Sequence, residues 1–234
     1  MLKTIKMLHV FLLLSFTICV PSIIAAPSKG EVVKKEKTTK IKKKSNKQQK
    51  ASSQQKTALA ELPVPKGHAE VVMVTNFGKI RLDLFKDKDP ETVNNFLEYV
   101  KAGYYNNTIF HRIVDGFLIQ GGGYDIHFNE KNPLLPPIKN NSKNGFKNLV
   151  GTIVMARKQS DPNSATSQFF INLANNSYLD YSSTDEGYTV FGKVISGMEI
   201  IQKIARIKIG QREGMYHVPF YPEEAIIKEA FLVE

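Results

Sequence analysis

From His68 onward, apolar and polar residues recur with regular periods that the residues just before it lack. Val72 and Val74 fall at every second position, Asn76-Phe77-Gly78 interrupts them, and Ile80, Leu82 and Leu84 resume the period of two. Side chains of a strand point alternately to its two faces, so this pattern predicts a β-hairpin with one apolar face. The spacing then changes. Asp89 can cap a helix that Pro90 opens, because proline at the first helical position lacks only an N–H that would have no helical partner. Val93, Phe96, Leu97 and Val100 follow at i, i+3, i+4 and i+7, one stripe of a helix, and Gly103 stops it. Over residues 104–192, short apolar runs separated by Gly, Asn, Pro and Ser predict short strands and long loops. Met198, Ile201 and Ile204 predict a second helix over about residues 198–204, and Ile227, Ala230 and Leu232 predict a closing strand over residues 225–233. Many strands, two helices and no β–α–β alternation imply a mainly β domain, an antiparallel barrel or sandwich with helices packed on it.

Residues 27–65 have a different character: Lys, Gln, Ser and Thr dominate and aromatics are absent. Such a segment buries too little apolar surface to offset its ordering entropy, so a disordered linker is expected. The formal charge of +10 belongs mostly to this part. Residues 29–66 carry 12 Lys against 3 Glu, whereas residues 67–234 carry 18 Lys/Arg against 19 Asp/Glu. A near-neutral domain excludes nucleic-acid binding at the folded surface on electrostatic grounds. The tail is either a solvated spacer or a means of attraction to anionic surfaces, each lysine near a charged membrane being worth about 1 kcal/mol. Ahead of it, Lys3 and Lys6 precede an apolar run over residues 7–20, then Pro21 and Ala25-Ala26. That order predicts a secretory signal peptide cleaved after Ala25. An uncleaved membrane anchor and a chain lipidated at Cys19 are the other readings of the same residues. The expected organisation is therefore a signal peptide (1–25), a Lys-rich linker (26–66) and a folded domain (67–234). Cys19 is the sole cysteine, so the cleaved chain would have no disulfide, metal thiolate or thiol nucleophile.

Several familiar sites are missing from the sequence. There is no G-x-S-x-G elbow, no G-x-x-x-x-G-K-[ST] loop and no H-E-x-x-H, and the histidines at 9, 68, 111, 127 and 217 never fall at metal-ligand spacing. Gly121-Gly122-Gly123 reads as a close-packed backbone turn rather than a phosphate loop. Chemistry-bearing residues concentrate in two segments. One is Phe110-His111-Arg112-Ile113-Val114-Asp115-Gly116-Phe117-Leu118-Ile119-Gln120 with the three glycines; the other is Gly151-Thr152-Ile153-Val154-Met155-Ala156-Arg157 with Ser164-Ala165-Thr166-Ser167-Gln168-Phe169-Phe170-Ile171. A period of two puts Phe110, Arg112 and Val114 on one face, and Phe117, Ile119 and Gly121 opposite Gln120. An arginine among apolar strand residues either faces a cleft with a partner or snorkels over its neighbours. On these residues alone, both remain open.

Together with Tyr178-Leu179-Asp180 and Val190-Phe191-Gly192-Lys193-Val194, these segments resemble the signature of the cyclophilins, over about residues 69–234. The resemblance implies an eight-stranded antiparallel β-barrel capped by two α-helices, with an outer groove that binds proline-containing peptides. It implies the activity of a peptidyl-prolyl cis/trans isomerase. Position by position, Arg112 matches the family's catalytic arginine and Gln120 the glutamine that positions the substrate carbonyl. Phe117, Met155, Phe170 and Leu179 match walls of the proline pocket, Phe117 being counted with the catalytic set, and Gln168 matches a polar residue at the rim. Ala156 and Arg157 occupy the strand edge beside the substrate backbone, where many relatives have Asn at the second position. Tyr178 and Tyr188 stand where many eukaryotic members have tryptophan and histidine, a departure that resembles the bacterial branch and implies weak affinity for cyclosporin. His111 is expected to be a buried structural histidine. No cofactor or metal is called for, and a monomer is expected. The resemblance and the signal peptide together imply a periplasmic enzyme acting on unfolded or exported polypeptides; a secreted or membrane-anchored one is the alternative.

Overall fold

The computed structural model describes residues 64–233, so the signal peptide and nearly all of the Lys-rich linker lie outside the described residues. Among the described residues, eleven strands and two α-helices follow in order: β1 (Ala69–Thr75), β2 (Gly78–Leu84), α1 (Pro90–Lys101), β3 (Thr108–Ile109), β4 (Arg112–Val114), β5 (Leu118–Gly121), β6 (Thr152–Met155), β7 (Phe169–Asn172), β8 (Val190–Ser196), α2 (Met198–Ala205), β9 (Ile209–Arg212), β10 (Met215–Pro219) and β11 (Ile226–Val233). Nine strands form one sheet in the order β3-β11-β1-β2-β8-β6-β7-β5-β4, and β9 and β10 form a separate ribbon. Every pairing is antiparallel. The two edge strands, β3 and β4, are joined through Phe110 and His111 alone. The sheet therefore has to curl until its ends approach each other, and a barrel-like antiparallel fold with two helices results.

Register explains which side chains fill the barrel. Ile113 pairs with Ile119, Ile119 with Ile171, Ile171 with Ile153, Ile153 with Gly192, and Gly192 with Leu84. Directly opposed residues share a face, so this row lies inside, and its four isoleucines and Leu84 are fully buried. Burying one such side chain contributes about 1.5–3 kcal/mol. Gly192 sits where a Cβ would meet the Asp83 carbonyl oxygen at 2.6 Å, which keeps that row tight. Helix α1 lays Val93, Phe96, Leu97 and Val100 on the same core, and α2 adds Ile200, Ile201 and Ile204. Asp89 caps α1 by accepting a hydrogen bond from Thr92 N at 3.2 Å, with Pro90 in the first turn.

Two local expectations need correction, and one element is not foreseen. In β1 the core side chains are Val71 and Met73, both fully buried, while Val74 is only half-buried. Val72 lies opposite Arg81 and Phe231 on the other face, so an apolar outer face disguises the parity. Phe110 does not share a face with Arg112: it precedes β4, and its ring is buried in the core. The β9–β10 ribbon has no counterpart in the sequence pattern. Its turn, Glu213-Gly214, has φ of 48° and 84°, the two positive values of a tight hairpin turn.

Candidate active site

One row further along the same strands faces outward. Arg112 on β4 pairs with Gln120 on β5, Gln120 with Phe170 on β7, Phe170 with Val154 on β6, and Val154 with Val190 on β8. The strand pairing that buries the isoleucines thus brings an arginine and a glutamine beside three apolar side chains. Phe85, Leu118, Val154, Phe170 and Val190 form a second buried cluster, separate from the barrel core. Phe117, Phe146, Ala156, Leu179 and Tyr188 pack against it while staying half-buried.

The polar half of the row is a chain of side-chain contacts. Arg112 Nη1 donates to Gln120 Oε1 at 3.5 Å, a loose contact, and Gln120 Nε2 donates to Gln168 Oε1 at 2.9 Å. The guanidinium carbon of Arg112 stands 5.8 Å from the centre of the Phe117 ring. Arg112, Gln120 and Gln168 are each half-buried and so still reachable from solvent. The Gln168 side chain rests against the third glycine of the Gly121-Gly122-Gly123 turn, where a Cβ on Gly123 would meet it at 2.5 Å. A cavity of about 300 Å³ opens next to these amides and is lined by Gln120, Gln168, Ala156, Arg157 and Glu130 among others. A larger cavity, about 420 Å³, lies at the β1 and β11 side of the sheet, between Val64, Leu97 and Val233, and shares no residue with it.

Aromatic contacts shape the apolar half. Phe117 and Tyr178 stack 5.8 Å apart, with Tyr178 two-thirds exposed, and Phe170 meets Tyr188 edge-on at 5.7 Å. The turn carrying Phe117 is fastened from below. Asn176 Nδ2 donates to the Phe117 carbonyl at 3.1 Å and to Asn172 Oδ1 at 2.7 Å, and Asn172 donates onward to Asn148 and Thr152. Those buried asparagines escape period-two reading because they sit at a strand end and in loops.

His111 adjoins Arg112 in sequence but is buried, with its ring 4.5 Å from that of Tyr124 and no hydrogen-bond partner for Nδ1 among the described residues. Burial is the main cause that lowers its pKa to about 4, with the Arg112 charge acting the same way and contacts to the Ile109 backbone and Gln168 only partly opposing. A neutral imidazole therefore backs the arginine at neutral pH.

The expected site residues come together with one exception. Met155 is buried in the barrel core and opposite Phe169, on the inner face. Leu118 takes the place expected of it: it belongs to the outer cluster with Phe170, on the same face as Gln120. The period of two, counted back from Gln120, contains that signal. Phe117 does not follow the period because it belongs to the turn before β5. Arg157 lines the cavity, but its guanidinium is held by neighbouring groups and its side chain is only 5% exposed. Among the described residues, no cluster of His, Cys, Asp and Glu is placed to hold a metal ion.

The curled antiparallel barrel thus presents a guanidinium and two amides beside an outer apolar cluster. The family model described as cyclophilin type peptidyl-prolyl cis-trans isomerase/CLD matches residues 70–221. A peptidyl-prolyl cis-trans isomerase of Acinetobacter baylyi is 48% identical over 156 residues, 67% of this chain and 82% of the relative. Peptidyl-prolyl cis-trans isomerase B of Escherichia coli is 46% identical over 166 residues, 70% of this chain and 98% of the relative. Among solved structures, a cyclophilin type isomerase of Cryptosporidium parvum matches with a TM-score of 0.53 and 30% identity, covering 71% of this chain and 98% of that one. The same protein, solved in the presence of the dipeptide Ala-Pro, matches with a TM-score of 0.52. The chain belongs to the cyclophilin-type peptidyl-prolyl cis-trans isomerases and is an enzyme of that activity.

Proposed function

We propose that Arg112 is the catalytic group, that Gln120 steadies the moving carbonyl, and that Phe117, Leu118, Phe170, Leu179 and Tyr188 hold the proline ring. An Xaa–Pro bond resists rotation by about 18–20 kcal/mol because the nitrogen lone pair is delocalised into the carbonyl. In the twisted amide that lone pair is localised and can accept a hydrogen bond. A guanidinium fixed beside the ring donates that bond, and it stays charged at every working pH. No covalent bond is made or broken. The gain comes from a preorganised charge that interacts more strongly with the twisted state than with either planar one. The single observation that carries this reading is the outward row Arg112, Gln120, Phe170 and Val154, set by strand register. The Cryptosporidium parvum relative solved in the presence of Ala-Pro supports a proline-containing ligand. Gln168 and Ala156, at the cavity rim, border the substrate backbone in this reading, and Tyr178 extends the Phe117 wall.

Arg112→Ala should lower kcat/KM by about a hundredfold or more in a protease-coupled proline-peptide assay, in the range found when one transition-state donor is removed. Arg112→Lys should recover little, because an ammonium does not reproduce the planar fork. Normal turnover by folded Arg112→Ala would overturn the assignment.

The cellular role follows from the sequence before the domain. The basic, apolar and small-residue order of residues 1–26 supports export to the periplasm, and uncatalysed proline isomerisation is slow enough to limit folding there. The clients in this reading are exported polypeptides in the course of folding. The 12 lysines of residues 29–66 would hold the enzyme near anionic surfaces.

A further inference from the structure

Arg157 is the most heavily engaged arginine near the site, and none of its contacts is to the proposed catalytic row. Its Nε donates to the Gly187 carbonyl at 2.9 Å, and Nη1 donates to the Lys158 and Gln159 carbonyls at 3.1 and 3.3 Å. Nη2 donates to Asp185 Oδ1 at 3.3 Å. The guanidinium carbon also lies 4.3 Å from the centre of the Tyr188 ring. Arg157 stands two residues after the end of β6, whereas Gly187, Asp185 and Tyr188 belong to the loop between Leu179 and β8. That loop is closed at its base by a hydrogen bond from Tyr188 N to the Leu179 carbonyl at 2.9 Å. Asp185 Oδ1 also accepts from Gly187 N at 2.7 Å. Both base residues, Leu179 and Tyr188, pack on the outer apolar cluster, and Tyr188 meets Phe170 edge-on.

We infer that Arg157 is a positioning residue: a latch between the end of β6 and the 179–188 loop that fixes the Tyr188 ring as one wall of the proline pocket. This rests on the proposed reading of the outer row as the proline site. The guanidinium suits this work because one planar group carries five donors and also stacks on an aromatic face. Two of its four bonds, to the Gly187 carbonyl and the Asp185 carboxylate, reach the loop together with the stacking on Tyr188, while the other two, to the Lys158 and Gln159 carbonyls, fix the guanidinium to its own segment. The wall touches the proline ring, which keeps the same shape in the planar and the twisted amide. Its contribution is therefore equal in the ground and transition states and belongs in KM, whereas Arg112 acts on the twisted amide and belongs in kcat.

The test uses steady-state kinetics of the full chain with a proline-containing peptide, on Arg157→Ala, Arg157→Lys, Tyr188→Ala, Asp185→Asn and the double variant Arg157→Ala/Tyr188→Ala. Arg157→Ala should raise KM by about tenfold with kcat within about twofold, the signature of uniform binding lost when the Tyr188 wall is no longer held by its stacked cation. Arg157→Lys should recover part of that rise, since the charge over the ring survives and the fork does not. The double variant should be no worse than the poorer single one, because both remove the same wall. Asp185 is largely exposed, so Asp185→Asn tests the latch without risk to folding and should raise KM in the same direction by less. An unchanged KM in both Arg157→Ala and Asp185→Asn would overturn the latch, as would KM effects that simply multiply in the double variant. Retained turnover in Arg112→Ala would instead overturn the site reading beneath it, so the two failures are distinguishable.

Discussion

His111 and Arg112 are neighbours in the chain, yet one is buried and the other reaches the surface. An unfolded histidine titrates near 6.5, whereas burial holds folded His111 at about 4. Between those values the unfolded state binds more protons, so stability rises with pH across that window. It is complete above 6.5 and is lost as pH falls toward 4, the total being about 3 kcal/mol. Denaturant midpoints measured from pH 4 to 7.5 should show this slope, and His111→Gln should flatten it. An equal slope in wild type and variant would place the acid sensitivity elsewhere. At the same scale, Arg112 and Arg157 divide the labour of two guanidiniums. Among the described residues the first makes one loose hydrogen bond, at 3.5 Å, whereas the second is committed to four acceptors.

Strands β4 to β8 convert a repeating register into two opposite surfaces, an isoleucine row inside and the Arg112–Gln120–Phe170 row outside. The glycine turn after β5 completes the outer one. Gly122 has φ of 81° and its Cβ would meet the Ser167 carbonyl oxygen at 2.7 Å, so Gly122→Ala should cost about 1–3 kcal/mol of stability. At Gly123 the three atoms nearest an added Cβ all belong to the Gln168 side chain, so Gly123→Ala should displace that amide, loosen its bond to Gln120 and lower turnover with a smaller loss of stability. Thermal unfolding and turnover measured on the same samples separate the two; equal losses of both in each variant would contradict the distinction. How much of this is legible in the sequence follows from how local each signal is. Helix α1 is readable with its cap, because i, i+3, i+4 spacing and Asp-Pro are contained in a dozen residues. The outward placement of Arg112 and Gln120 is suggested by the family resemblance, but it depends on pairing between strands that single-strand periodicity does not report. Met155 illustrates the gap. It lies next to Ala156 at the groove, yet the Met155–Phe169 pairing turns it into the core and leaves Leu118 to serve the outer cluster. Likewise, nothing in the local pattern around Arg157 points to Gly187 and Asp185, which are about 30 residues away.

For the molecule as a whole, charge and chemistry occupy different parts of the chain. Residues 67–234 are close to neutral and contain the whole outer row, whereas residues 29–66 hold 12 of the 32 Lys and Arg. Deleting residues 29–55 should therefore leave isomerase turnover intact and abolish sedimentation with anionic vesicles. Equal vesicle binding with and without the segment would remove the tail from any surface role. The central claim is that one outward guanidinium drives rotation of the Xaa–Pro bond without covalent chemistry. Magnetisation-exchange NMR on an Ala-Pro peptide measures that rotation directly, with no coupling protease. Catalytic amounts of the chain from residue 26 onward should bring cis/trans exchange into the measurable range. The Arg112→Ala chain, showing the same amide spectrum away from β4, should leave exchange at the uncatalysed rate. Equal acceleration by the two would contradict the account.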